Sequence, residues 1–138
     1  MASIEGEKGT LKQKGTLCNY LIKDNKENLA RVVSEKTPQA KKAVLDYEII
    51  EQKEDVAKVM ITLKTGRFHQ IRVQFSNVKM PLLGDLKYGT QLSIQKSEKL
   101  HVKTVALCAA KLKFIHPKTK IEMEFSVNPQ NKAFEIFA

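Results

Sequence analysis

The alternating apolar run from Val59 to Leu63 stops at Thr65-Gly66, and the chain continues Arg67-Phe68-His69-Gln70-Ile71-Arg72, then Val73-Gln74-Phe75-Ser76-Asn77-Val78. Next comes the turn-forming stretch Met80-Pro81-Leu82-Leu83-Gly84-Asp85. Period-two alternation reads as a strand, Thr-Gly as a tight turn, the following segment as a helix and the Pro/Gly-punctuated one as a loop. Two arginines, a histidine and an amide therefore fall within six residues of a turn.

At about 100° per residue, Phe68, Ile71, Phe75 and Val78 share one side of this helix, and His69, Arg72 and Ser76 form a neighbouring stripe. Arg72 is thus expected at the edge of the buried face. A guanidinium there needs an anionic partner, because a buried charge without one loses hydration that nothing repays. Within the chain the nearest acidic candidate is Asp85, as a structural ion pair. The alternative is a catalytic carboxylate or an RNA phosphate, with Gly66 letting backbone come close to the ligand.

Elsewhere the pattern is mostly that of strands. Ala43 to Ile50 and Val56 to Leu63 both alternate around Gln52 to Asp55, a hairpin signature. Leu29 to Ser34 reads as a short strand, and Leu17 to Ile22 is an apolar run of ambiguous type. Val105 to Ile115 is strand-like with a break near Ala109-Ala110, and Ile121 to Val127 alternates as its returning partner across the His116-Pro117-Lys118-Thr119 turn. Thr90 to Thr104 reads as a solvated loop or a short helix. Residues 1–14 read as a flexible N-terminal segment and 15–138 as one domain, with Ala133 to Phe137 docking as an edge or across the core. The expected class is α+β, a mainly antiparallel or mixed sheet with one main helix after the Thr-Gly-Arg turn.

The order Thr65-Gly66-Arg67-Phe68-His69-Gln70-Ile71-Arg72, then Pro81-Leu82-Leu83-Gly84-Asp85 and Tyr88-Gly89, resembles the third conserved motif of the RluA-like RNA pseudouridine synthases. About a dozen positions match across 25 residues, which makes the signal specific. Ala40-Lys41-Lys42-Ala43 to Tyr47 is similar to that family's Ala-Lys-x-Ala-x-x-x-Tyr strand, and Leu107-Cys108-Ala109 with Phe114-Ile115-His116-Pro117 to its C-terminal strand pair. Cys108 stands where the family commonly has histidine.

The resemblance implies isomerisation of uridine to pseudouridine in rRNA or tRNA, the base being detached from ribose at nitrogen and rejoined at carbon 5, without metal or organic cofactor. It implies that Arg72 pairs with the catalytic carboxylate, that Thr65, Gly66, Arg67, His69, Gln70 and Ile71 hold substrate, and that Asp85 and Tyr88 support them from behind. The family's carboxylate lies in a His-Arg-Leu-Asp segment. None of the four aspartates, Asp24, Asp46, Asp55 and Asp85, has that context. The chain is therefore expected to be the C-terminal part of a catalytic domain, inactive alone, with Arg72 solvated or paired to Asp85. The surface left open would favour self-association. A non-catalytic RNA-binding module is the alternative.

Charge and cysteine content bear on partners and compartment. Lys and Arg number 24 against 15 Asp and Glu, a net charge of +9 that favours polyanions by long-range attraction. Cys18 and Cys108, ninety residues apart, read as buried small side chains in a reducing compartment, and the three scattered histidines suggest no zinc site. No window approaches eighteen apolar residues, so the expected setting is cytoplasmic and away from membranes.

Overall fold

The computed structural model describes residues 2–3, 12–126 and 134. Its strands and helices, in chain order, are β1 (Ala2–Ser3), β2 (Lys14–Asp24), β3 (Leu29–Val33), β4 (Lys41–Lys53), β5 (Val56–Leu63), α1 (Gln70–Asn77), α2 (Gln91–Lys99), β6 (Lys111–Ile115) and β7 (Glu122–Ser126). Antiparallel pairs build one five-stranded sheet in the order β1-β5-β4-β2-β3, and β6 with β7 forms a second, two-stranded sheet. The class is α+β. A second helix fills the segment that the sequence left open between loop and helix.

Alternation decides which face of the large sheet is covered. Ala43, Leu45 and Tyr47 of β4 and Leu17 and Leu21 of β2 point to the side that α1 covers and are buried. Cys18 falls between Leu17 and Asn19, on the opposite face, and is exposed rather than buried as its residue type suggested. The core divides in three. Leu17, Leu45, Tyr47 and Ala57 meet Phe75, Met80 and Leu82, with the Tyr47 and Phe75 rings edge to face at 6.2 Å. Leu21, Ala30 and Ala43 receive Val73. Val56, Leu83, Val102 and Ala106 form the third group, with Leu100 and Phe134 against it.

The helices begin differently. Thr90 caps α2 reciprocally with Ser93, satisfying donors that a helix start leaves free. No side chain caps α1, whose N-cap residue His69 sits at φ 51°, ψ 27°. The β6–β7 hairpin carries two exposed ion pairs, Lys111–Glu124 at 2.9 Å and Lys113–Glu122 at 3.1 Å, and leaves Leu112, Ile115, Ile121 and Phe125 exposed. Exposed pairs of this kind contribute little.

Candidate functional site

The turn after β5 is tied to the middle of β4 by two side chains. Lys64 and Thr65 amides both donate to the Val44 carbonyl, at 3.0 and 3.2 Å. The Thr65 Oγ1 accepts from the Val44 amide at 2.9 Å and donates to Gln70 Oε1 at 2.7 Å. Gln70 Oε1 also accepts from the Arg67 amide at 2.9 Å, while its Nε2 donates to the Val44 carbonyl at 3.1 Å. Gln70 is buried, so its amide is fully engaged in shaping the turn. One helical turn later, Gln74 Nε2 donates to the Ala43 carbonyl at 3.2 Å and to Asn19 Oδ1 at 2.9 Å.

The helix face that meets the sheet is therefore partly polar. Gln70 and Gln74 are buried with Val73 and Phe75, whereas the apolar wheel had singled out Phe68, Ile71, Phe75 and Val78. Glutamines spaced i, i+4 were the readable signal. Replacing Gln70 by alanine should leave the Arg67 amide without its acceptor and the Thr65 hydroxyl only the Val44 carbonyl, at 3.4 Å, to donate to, a loss of about 1–3 kcal/mol. Urea titration should show a lower midpoint at unchanged slope.

The turn residues expected to meet substrate are not all placed alike. Ile71 packs half-buried on the core, and the Thr65 and Gln70 side chains face β4. A Cβ on Gly66 would meet nothing within 4 Å, so approach to the turn is unobstructed there. Arg67 is exposed and its Nε donates to the Lys42 carbonyl at 2.9 Å.

His69 takes a left-handed conformation that strains a residue with a Cβ. It starts the helix at Gln70 instead of Phe68 and so takes Phe68 off the buried face. The imidazole then lies between three neighbours. It stacks on the Phe68 ring at 3.8 Å, shares a hydrogen bond of 2.7 Å with the Tyr88 hydroxyl through Nδ1, and brings Nε2 to 3.4 Å from Arg72 Nη1. The Tyr88 hydroxyl also accepts from the Ala30 amide at 2.8 Å, linking this corner to β3.

Arg72 meets Asp85 in a two-pronged pair: Nε donates to Oδ2 at 2.9 Å and Nη2 to Oδ1 at 2.8 Å. The Asp85 side chain is wholly buried and that of Arg72 is 20% exposed. Burial pushes the Asp85 carboxyl up, but the Arg72 guanidinium and the Tyr88 and Lys87 amides outweigh it and hold the group below its ordinary value. The same bond raises the Arg72 pKa against its burial. The Arg72 guanidinium also rests 5.0 Å from the Tyr88 ring centre. Asp85, Tyr88, His69 and Arg72 thus form one connected group, with Nη1 the guanidinium nitrogen that Asp85 leaves untouched.

Burial, Arg72 and Lys87 together push the His69 pKa below 6.5, with Asp85 opposing weakly. A histidine that binds its proton less readily when folded lowers stability as pH falls from the unfolded value towards the folded one, and leaves it unchanged above. Stability from urea titrations should therefore decline as pH is lowered below about 6.5, and His69→Gln should remove that part of the slope.

The profile of the RNA pseudouridylate synthase family matches residues 2–77, more than half of the chain. The chain is 36% identical over 102 residues to ribosomal large subunit pseudouridine synthase D of Vibrio cholerae, covering 69% of this chain and 32% of that protein. It is 35% identical over 111 residues to the uncharacterized RNA pseudouridine synthase YlyB of Bacillus subtilis, covering 80% and 34%. The solved structure of human RNA pseudouridylate synthase domain containing 1 superposes with a TM-score of 0.72 at 21% identity, over 92% of this chain and 52% of that one. The chain spans about a third of the length of these curated relatives. With more than half of its residues matched by that family's profile, the chain belongs to the RNA pseudouridylate synthase family.

Proposed function

We propose that this chain supplies the arginine side of a site that isomerises uridine to pseudouridine in RNA. The observation that carries the reading is the Arg72 guanidinium, which Asp85 grips by Nε and Nη2, while Nη1, 3.4 Å from His69 Nε2, has a second N–H to offer another acceptor. A cation fixed in this way favours the ionised form of a carboxylate brought beside it and orients it. The 138 residues hold no His-Arg-Leu-Asp segment, and in this reading that carboxylate is supplied by residues outside them.

In this reading Arg72 is the catalytic residue, Gly66, Arg67 and His69 face the RNA, and Thr65, Gln70 and Ile71 act by holding the turn that presents them. Asp85 and Tyr88 keep Arg72 and His69 in place. A target uridine must leave its stack to reach such a group, which single-stranded or weakly paired RNA permits at least cost. The exposed apolar side chains of the β6–β7 hairpin, Leu112 and Phe125 among them, are where self-association would occur.

Incubating the isolated chain with rRNA and tRNA tests the proposal. No pseudouridine should form, while RNA binding should weaken steeply with salt. Adding a polypeptide that carries the His-Arg-Leu-Asp part of a relative should give turnover that Arg72→Lys abolishes. Pseudouridine formed by the chain alone, or turnover indifferent to Arg72, would overturn it.

A further inference from the structure

We propose that Phe68 is a stacking platform for one nucleobase of single-stranded RNA, a flanking nucleotide rather than the one to be isomerised, and that Lys23 takes the adjoining phosphate. This rests on the RNA-binding reading above. Phe68 is 36% exposed and its ring lies parallel to His69, with 3.8 Å between centres and 22° between planes. The Lys23 ammonium sits 4.3 Å from the Phe68 ring centre. The imidazole leaves no room for it on the stacked face, so the ammonium lies on the other.

That second face is the one a base would use. An exposed cation over an aromatic ring contributes about two- to fivefold to an equilibrium, whereas a base on the same ring contributes about five- to 150-fold. A base therefore displaces the ammonium. The displaced Lys23 has no carboxylate partner among the described residues and is free to reach the phosphate that arrives with the base. Arg67 and Lys87, likewise without a carboxylate in those ion pairs, belong to the same corner: Arg67 adjoins Phe68 in the chain, and Lys87 lies close enough to His69 to depress its pKa. The location sets the role. His69 separates Phe68 from Arg72, contacting one by stacking and the other at 3.4 Å, so a base on Phe68 is beside the arginine without being on it.

The chain contains no tryptophan, so Phe68→Trp places a single indole reporter on the platform. The probes are a short oligouridylate and an abasic oligonucleotide of equal length and charge. Oligouridylate should quench the indole and the abasic strand should not. Phe68→Ala should weaken oligouridylate binding about five- to 150-fold, leave abasic binding unchanged and leave the salt slope unaltered. Lys23→Ala should reduce the salt slope by about one for oligouridylate, whose base displaces the ammonium, and by less for the abasic strand, which leaves it on the ring. Phe68→Leu, which keeps apolar volume, should show the same base-selective loss with an unchanged circular dichroism spectrum. Equal binding of the two strands in the wild type, with normal salt dependence, would overturn the platform alone. Failure of both strands to bind more tightly than heparin would overturn the RNA-binding reading with it.

Discussion

Replacing Arg72 by alanine should destabilise the fold by about 3–5 kcal/mol, because it leaves the Asp85 carboxylate buried without its counter-charge. Asp85 Oδ1 would retain the Lys87 and Tyr88 amides as donors, while Oδ2 would lose the Arg72 Nε that donates to it. Reversible urea unfolding of wild type and variant measures the difference. Adding Asp85→Asn should recover part of the loss, since the group left behind is then neutral and still accepts from those amides, and a cycle of the two substitutions isolates the coupling. The pH dependence has a definite sign. A carboxyl held below 3.8 in the folded state contributes stability that is complete above that value and disappears as pH falls through the folded one. Removing Arg72 should therefore move acid unfolding to higher pH.

Gly84→Ala should be as damaging, through geometry alone. A Cβ there would lie 2.0 Å from the Thr104 carbonyl oxygen, and the residue sits at φ 76°. The left-handed backbone adds about 1–2 kcal/mol to an overpacking loss of about 1–3 kcal/mol. The neighbouring backbone has little room to yield, because the Gly84 amide donates to Ser97 Oγ at 2.9 Å and the Ala106 amide to the Leu83 carbonyl at 2.8 Å. Any shift at residue 84 passes to Asp85 and hence to Arg72. Thermal unfolding should register the loss. Gly66→Ala, whose Cβ would enter open space, is the matched control and should melt close to the wild type.

The sequence revealed the site's partners more clearly than its geometry. The need of Arg72 for an anion followed from its place at the edge of a helix stripe, and Asp85, the nearest acidic residue past the turn, is the one that meets it. The β4–β5 hairpin was legible because its apolar residues alternate. The start of α1 was not, because nothing in the letters says that a histidine will adopt φ 51°, and the apolar wheel placed Phe68 inside as a result. Tyr88 as a hydrogen-bond partner of the Ala30 amide was equally hidden, since a contact across 58 residues depends on how β3 packs under the loop. The strand signal from Val105 was too generous by six residues: β6 begins only at Lys111. Ala106 of that stretch instead packs with Leu83 in the third core group, which packing decides and alternation cannot show.

The β6–β7 hairpin, a two-stranded sheet hydrogen-bonded to neither edge of the larger one, has a consequence for how the molecule breathes. Two strands with outward apolar side chains lack the cooperative support that a wider sheet gives. Its amides should exchange with deuterated solvent through opening of the hairpin alone, at rates that follow local rather than global unfolding. Those at the centre of β4, flanked by strands on both sides and tied to α1 through two glutamines, should be the last to exchange.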